Sequence, residues 1–235
     1  MTFTTVSPGQ LSIIASGFDA RPLSFLQGEE RLGYEPAVAR AVCAQLALEP
    51  VWHSYPIDQF YRVLSDGRHD VVWFNQAITQ ERRAWADFTR PYGRFDEAIL
   101  VREESPIQAI NDLAGKRLGT LETRPSLLIQ EDFPDLDWVT FPDREATFAT
   151  LITALQVGDL DAVLEDAVLL RAVEANHPGL RVACQRGTQQ AFGVGVLPGN
   201  RELLAALNQA LNQLLINGTL ARLWAQWIPY QPFPF

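Results

Sequence analysis

Lysine is almost missing from this chain: of 19 Lys and Arg residues, all but Lys116 are arginine. That bias is read as genome composition rather than function. Basic charge as a whole is short, and the net charge of −9 argues against nucleic acid or an anionic membrane surface as partner. Cysteine is scarce too. Cys43 and Cys184 lie far apart and form no cluster with metal-ligand spacing. Cys43 falls inside a helical apolar pattern, so both are expected as free, buried thiols rather than a disulfide. No apolar run reaches the ~18 residues that a membrane-spanning helix needs. The opening stretch MTFTTVSPGQ has neither a basic n-region nor an apolar h-region, so either the chain stays in the cytoplasm or a signal peptide has been removed. Gly-x-Ser-x-Gly, a phosphate-binding Gly-rich loop and zinc-ligand spacing are absent, and with them the plainest signs of those chemistries.

What is present is an ordinary globular composition: 235 residues, 47% hydrophobic and 20% charged. That length suffices for one large domain or two small ones. QLSIIASG is a short apolar run ending at Gly17 and reads as a buried strand. YEPAVARAVCAQLAL reads as a helix with Val38, Ala41, Val42 and Leu46 apolar, PVWHSY as a strand, and PIDQFYRVLSDG as a helix closed by Gly67. HDVVWF is the next strand, so the first 75 or so residues read βαβαβ, the pattern of a mostly parallel sheet with covering helices. The second half repeats the alternation. Strands are expected at EAILVRE, residues 117–121, WVTF, LDAVLED, LRVAC and AFGVGVLPG. Helices are expected at PSLLIQEDF, DREATFATLITALQVG, AVLLRAVEANHPG and the long RELLAALNQALNQLLINGTLARLWAQWI, broken at Asn217-Gly218.

The stretch ITQERRAWADFTRPY is unusual. Thr79 can cap a helix, yet Arg82 and Arg83 follow in its first turns, where the helix dipole favours acids. An anion seated there would account for them. Left to itself, the residue pattern equally allows a solvated Arg82 or a pair with Asp87.

GYEPAVARAVCAQL, DVVWFNQAITQERRAWADFTRPY, INDLAGKRLGTL, LQVGDLDAVLED and LNQLLINGTLARLWAQWI occur in that order. Together they make the chain, from about residue 10 to residue 228, similar to the family 3 bacterial extracellular solute-binding proteins, the amino-acid receptors of ABC importers. The resemblance implies an α/β, two-lobe periplasmic-binding-protein fold. Each lobe would be a mainly parallel five-stranded sheet with flanking helices. Lobe 1 would comprise residues 1–93 plus 190–235 and lobe 2 residues 94–189, with hinge crossings near residues 92–96 and 188–191. A small amino-acid-like solute would be held in the cleft and the lobes would close on it. It also implies a monomer partnered by an importer's membrane permease, a periplasmic or cell-surface location with the signal peptide removed, and no cofactor or metal.

The same resemblance puts Arg82 where a guanidinium grips the ligand α-carboxylate, a task its planar fork suits. Asp166 stands where an acid takes the α-amino group, its plainer alternative being a helix N-cap. Asn75 and Ala77 occupy places where amino-acid binders carry small Gly or Ser and Thr residues. The aromatic platform aligns with Ala20 and Ile57, though a small shift restores Phe18. Glu122, Thr123 and Arg124 replace a Ser/Thr-Gly-Thr turn at the pocket rim, with Arg124 either substituting for backbone amides or projecting into solvent. Trp73 and Phe74 either line the pocket or pack in the core. Two other functions remain open. One is a dehydratase on the same scaffold with Glu165 as catalytic acid. The other is the sensing domain of a larger signalling receptor. His53, His69 and His177 fall in unrelated segments with no nucleophile partner evident.

Overall fold

A computed structural model describes residues 3–121, 136–141 and 147–235. Its contacts divide the chain into two compact units, Met1–Arg94 with Gln190–Phe235, and Phe95–Gln189. The chain passes between them within two long strands, β7 (Gly93–Arg102) and β11 (Leu180–Phe192).

The first unit is built on β1 (Gln10–Ala15), whose last five residues are all buried. A continuous apolar run suits a strand covered on both faces. β1 pairs in parallel with β4 (Glu49–Ser54) and with β5 (Val71–Val72). The short β12 (Gly195–Val196) runs antiparallel to β5 and to β6 (Asp87–Phe88), giving a five-stranded order β4-β1-β5-β12-β6. A separate hairpin joins β2 (Phe25–Gln27) to β3 (Glu30–Leu32). Helix α1 (Tyr34–Leu46) buries Tyr34, Glu35, Val38, Ala39, Val42 and Cys43, a single helical stripe, and packs on α5 (Arg201–Ile216) and α6 (Thr219–Trp227), while the short α2 (Phe60–Ser65) buries Phe60, Val63 and Leu64. Gly33, before α1, has φ +117°, and a Cβ there would meet Leu23 O at 2.4 Å. Glycine therefore lets the hairpin exit against the 22–24 backbone, whose Pro22 and Leu23 carbonyls accept from the Tyr34 and Glu35 amides.

The second unit holds the order β11-β7-β10-β8-β9, where β8 is Arg117–Leu121, β9 Asp137–Phe141 and β10 Ala162–Asp166. β8 pairs in parallel with both β9 and β10, while β7 pairs antiparallel to β10. Helices α3 (Thr147–Val157) and α4 (Ala167–Asn176) contribute Leu151, Leu155, Leu169 and Leu170 to its buried interior. The helix expected at PSLLIQEDF lies outside the described residues.

Both units are thus α/β with five-stranded sheets, as expected, and several local readings need correction. The helix expected after Thr79 is a single 3₁₀ turn, Arg82–Ala84. The chain must reach β6 by Asp87 to pair with Gly195 and Val196, which leaves no room for a second turn. HDVVWF contracts to a two-residue strand, because the backbone turns into a left-handed conformation at Asn75, φ +46°. LRVAC grows into the thirteen-residue β11. Its extension, QRGTQQ, is partly exposed and lies on a sheet edge, where polar residues replace the apolar signal of an inner strand. Both cysteines are free, Cys43 buried and Cys184 only partly so.

Two of the three histidines are less scattered than their positions suggest. His53 and His69 sit with ring centroids 4.5 Å apart. His69 Nδ1 lies 2.9 Å from Ser12 Oγ and Nε2 lies 3.0 Å from Tyr55 Oη. Ser12, 7% exposed, is enclosed within the sheet, so the contact reads as a packed network rather than a nucleophile and its base. Burial lowers the His69 pKa, His53 and Arg68 lower it further, and Asp66 opposes them. The unfolded chain therefore takes up this proton first as pH falls. Stability should decline below about pH 6.5, the ordinary histidine value, until the folded protein also protonates. Thermal melts from pH 8 to 5 on wild type and His69→Gln should show a shallower slope in the variant; equal slopes would remove His69 from the account. At the crossing strand, a Cβ on Gly93 would fall 2.0 Å from Phe192 Cζ, and Phe192 is fully buried against Tyr92. Gly93→Ala should lower stability by about 1–3 kcal/mol in urea denaturation, the usual cost of overpacking.

Candidate functional site

Glu35 has no exposed surface. Both of its carboxylate oxygens accept from the Asn75 backbone N–H, at 2.9 and 2.7 Å, and Oε1 also accepts from the Tyr92 hydroxyl. Tyr34, next to Glu35, donates its hydroxyl to Tyr92 O at 2.6 Å. Burial first, and the charge of Glu35 second, push both phenols well above their ordinary pKa, so they stay protonated as donors. A buried carboxylate is tolerable because donors from several elements meet it. The outcome is a backbone anchored at Asn75, a residue type that accepts left-handed geometry better than most.

The loop beyond Asn75 is held just as closely. Gln76 Nε2 donates to Phe74 O and Tyr61 donates to Gln76 Oε1, each at 2.6 Å. Ala77 bridges to Phe192, and the Ile78 amide donates to Ala191 O. From this base Thr79 Oγ1 accepts from the Arg82 amide, and Arg82 Nη1 turns back to Ala77 O at 3.1 Å. Arg82 is half-buried and close enough to Tyr61 for its charge to oppose the burial that raises that phenol. Asp87, the partner weighed for Arg82, accepts from the Gly199 amide. One short loop therefore brings together Asn75, Ala77 and Arg82.

Phe18 is 3% exposed and its amide donates to Ser16 Oγ, just beyond the carboxyl end of β1. Trp73 has no exposed surface and lies 5.7 Å, ring to ring, from Tyr92, while Phe74 stacks edge-on to Phe60. Of the two readings open for that pair, the geometry is that of core packing. Glu35 escaped the sequence reading. Its signal was a charged residue inside the apolar stripe of α1, four residues before the buried Ala39 and seven before Val42.

In the second unit Glu165 and Asp166 close β10, both 2% exposed. The Asp166 amide donates to Glu165 Oε2 at 3.3 Å. Asp166 holds the N-cap position of α4, yet its side chain makes no capping hydrogen bond, so plain capping does not explain the acid. Glu122, Thr123 and Arg124 lie outside the described residues. Among the described residues no group of three or more His, Cys, Asp and Glu side chains is placed to hold a metal ion.

Comparison with known proteins gives this geometry a family. Residues 13–230 match the bacterial extracellular solute-binding proteins, family 3. The ABC transporter arginine-binding protein 1 of Escherichia coli K12 is 29% identical over 206 residues, covering 85% of this chain and 83% of that one. An ancestral arginine-binding protein bound to glutamine superposes with a TM-score of 0.82 at 25% identity, covering 94% of this chain and 98% of its own. The ancestral amino acid-binding protein AncCDT-1, a precursor of cyclohexadienyl dehydratase, superposes with a TM-score of 0.81 at 24% identity, covering 94% and 95%, a likeness of fold alone. The chain belongs to the bacterial extracellular solute-binding proteins, family 3.

The Glu35 network yields its own test. Glu35→Ala would leave the Asn75 amide and the Tyr92 hydroxyl buried without their acceptor, at about 1–3 kcal/mol each. Denaturant titration should show a loss of that order, and Glu35→Gln, which keeps one acceptor oxygen, should lose less. Equal, small losses would mean that the carboxylate is not holding the loop.

Proposed function

We propose that this solute-binding protein captures an amino acid for an ABC importer, with Arg82 gripping the ligand carboxylate and Asp166 its ammonium group. The observation that carries the reading is the family match, which runs through both units from residue 13 to residue 230. Local geometry supports it. Arg82 stands in a loop that Glu35 anchors, fixed through its amide to Thr79 and through Nη1 to Ala77 O, and a guanidinium is a planar fork suited to bidentate recognition. Asp166 is a buried acid at a strand's carboxyl end that does not spend its side chain on capping. Asn75, Ala77 and Phe18 lie at the corresponding edge of the first unit and would line the site. Glu122, Thr123 and Arg124 belong to the same proposal through the family resemblance. The protein would act as a monomer outside the cytoplasmic membrane, deliver its solute to the membrane permease, and need no cofactor.

A second reading, a dehydratase, draws on Glu165, a buried acid beside Asp166. Turnover of prephenate or arogenate would favour it; binding of amino acids without turnover favours the receptor.

Replacing Arg82 tests the clamp. A hydrogen bond to a charged group contributes about 1.5–3 kcal/mol, so Arg82→Ala should weaken amino-acid binding about tenfold to a hundredfold. Arg82→Lys should restore only part, because an ammonium lacks the fork. Thermal-shift screening selects the ligand and calorimetry compares the three proteins. Wild-type affinity in Arg82→Ala would remove the carboxylate clamp from the proposal.

A further inference from the structure

Among the described residues, Ala47, Asn75 and Gln189 hold a left-handed backbone without being glycine. Ala47 is the C-cap of α1, a common place for that conformation. Asn75 is a tolerant residue type anchored by Glu35. Gln189, φ +50°, has neither setting. It lies inside β11, and glutamine is not among the residue types that favour this angle. A strained angle of this kind persists only where its surroundings enforce it.

Here the enforcement comes from β7. Asp96 Oδ1 accepts from the Gln189 amide at 2.9 Å and from its Nε2 at 3.4 Å, and Oδ2 accepts from Gln185 Nε2 at 2.9 Å. The chain passes from one compact unit to the other between Arg94 and Phe95, and back between Gln189 and Gln190. The bend therefore stands at one crossing, and the carboxylate that holds it stands just past the other. Beyond the bend, β11 carries Ala191 and Phe192, which pair with Ile78 and Ala77. Those two residues open the loop in which Ala77 O accepts from Arg82 Nη1. A rotation at Gln189 is passed in this way to the base of the Arg82 loop.

We infer that Gln189 is the joint about which the two units turn, and that Asp96 is the pin that fixes its resting angle. Hinges are built from a few residues that absorb the change in φ and ψ. A pinned joint holds the ligand-free protein to a narrow set of arrangements, so a larger fraction is competent to capture solute. Both are positioning residues, acting on affinity through Arg82 and its loop without touching the solute. Their effect on affinity rests on the receptor reading above; the joint itself does not.

Small-angle X-ray scattering of the ligand-free protein tests the joint directly. Asp96→Ala removes the pin, and Gln189→Val puts a β-branched residue where a left-handed angle is least tolerated. Both should change the radius of gyration and broaden the distance distribution. Gln189→Asn keeps the backbone amide and tolerates the angle, so it should scatter as wild type does. Titration calorimetry with L-arginine and L-glutamine as probes reads the consequence. For a probe that binds wild type, Asp96→Ala and Gln189→Val should weaken binding about twofold to thirtyfold, the span of couplings through residues remote from a ligand, and Gln189→Asn should not. Unchanged scattering in Asp96→Ala and Gln189→Val, with or without a loss of stability in urea, marks an ordinary strand bulge and overturns the inference. So does Gln189→Asn departing from wild type as far as Gln189→Val. Should Gln189→Val fail to fold, Asp96→Ala decides. If neither probe binds wild type, the amino-acid reading is what suffers, and scattering alone decides the joint.

Discussion

Two donors from distant parts of the chain, the Asn75 amide and the Tyr92 hydroxyl, meet at the buried carboxylate of Glu35, and the loop beyond Asn75 in the first unit takes its shape from that meeting. The Asn75 amide, the Tyr92 hydroxyl and the helix carrying Glu35 are tied at one point. Low dielectric strengthens these contacts and makes each one costly to lose. The Asn75 backbone can then hold its left-handed turn, and Ala77, Thr79 and Arg82 follow in fixed sequence. A charge hidden in the core thus governs where a partly exposed arginine stands.

Charge at the strand ends has a consistent logic. The first unit places two arginines at its carboxyl edge, Arg82 half-buried in a 3₁₀ turn and Arg31 enclosed by serines and aromatic rings. The second unit places two acids, Glu165 and Asp166, at the end of an inner strand. Parallel strands run their carboxyl ends to the same edge, so side chains distant in sequence are gathered there without any one segment carrying a motif. The first sheet also carries the histidine network, in which His69 lies between Ser12 and Tyr55.

Much of this was legible from residue order. The apolar period of α1 and the alternation of strands and helices announced an α/β chain, and residues 117–121 were read as the strand that β8 proves to be. Asn217-Gly218 was read as a helix break, and α5 stops at Ile216 with Gly218 in a left-handed conformation. Failures came where tertiary pairing overrode local preference. Thr79 with its charged triplet reads as a helix start, but pairing of Asp87 and Phe88 with Gly195 and Val196 cut the helix to one turn. The polar half of β11 carries no apolar period because it borders solvent, so nothing local marked it as strand. The sequence reading singles out neither Glu35 nor Arg31, since residue type alone carries no record of burial.

By itself, the sequence determined the class of fold, because hydrophobic periodicity and turn residues are local properties that any stretch displays unaided, and its ordered motifs carried the resemblance that pointed to the family and to Arg82 and Asp166. Only the tertiary structure decided which charges are buried, that His53 lies against His69, and that Arg31 reaches Ser16 and Ser54 at the ends of β1 and β4. Those facts depend on the desolvation and pairing of groups far apart in the chain. Burial is a property of what surrounds a residue, and its surroundings are assembled only when the chain folds.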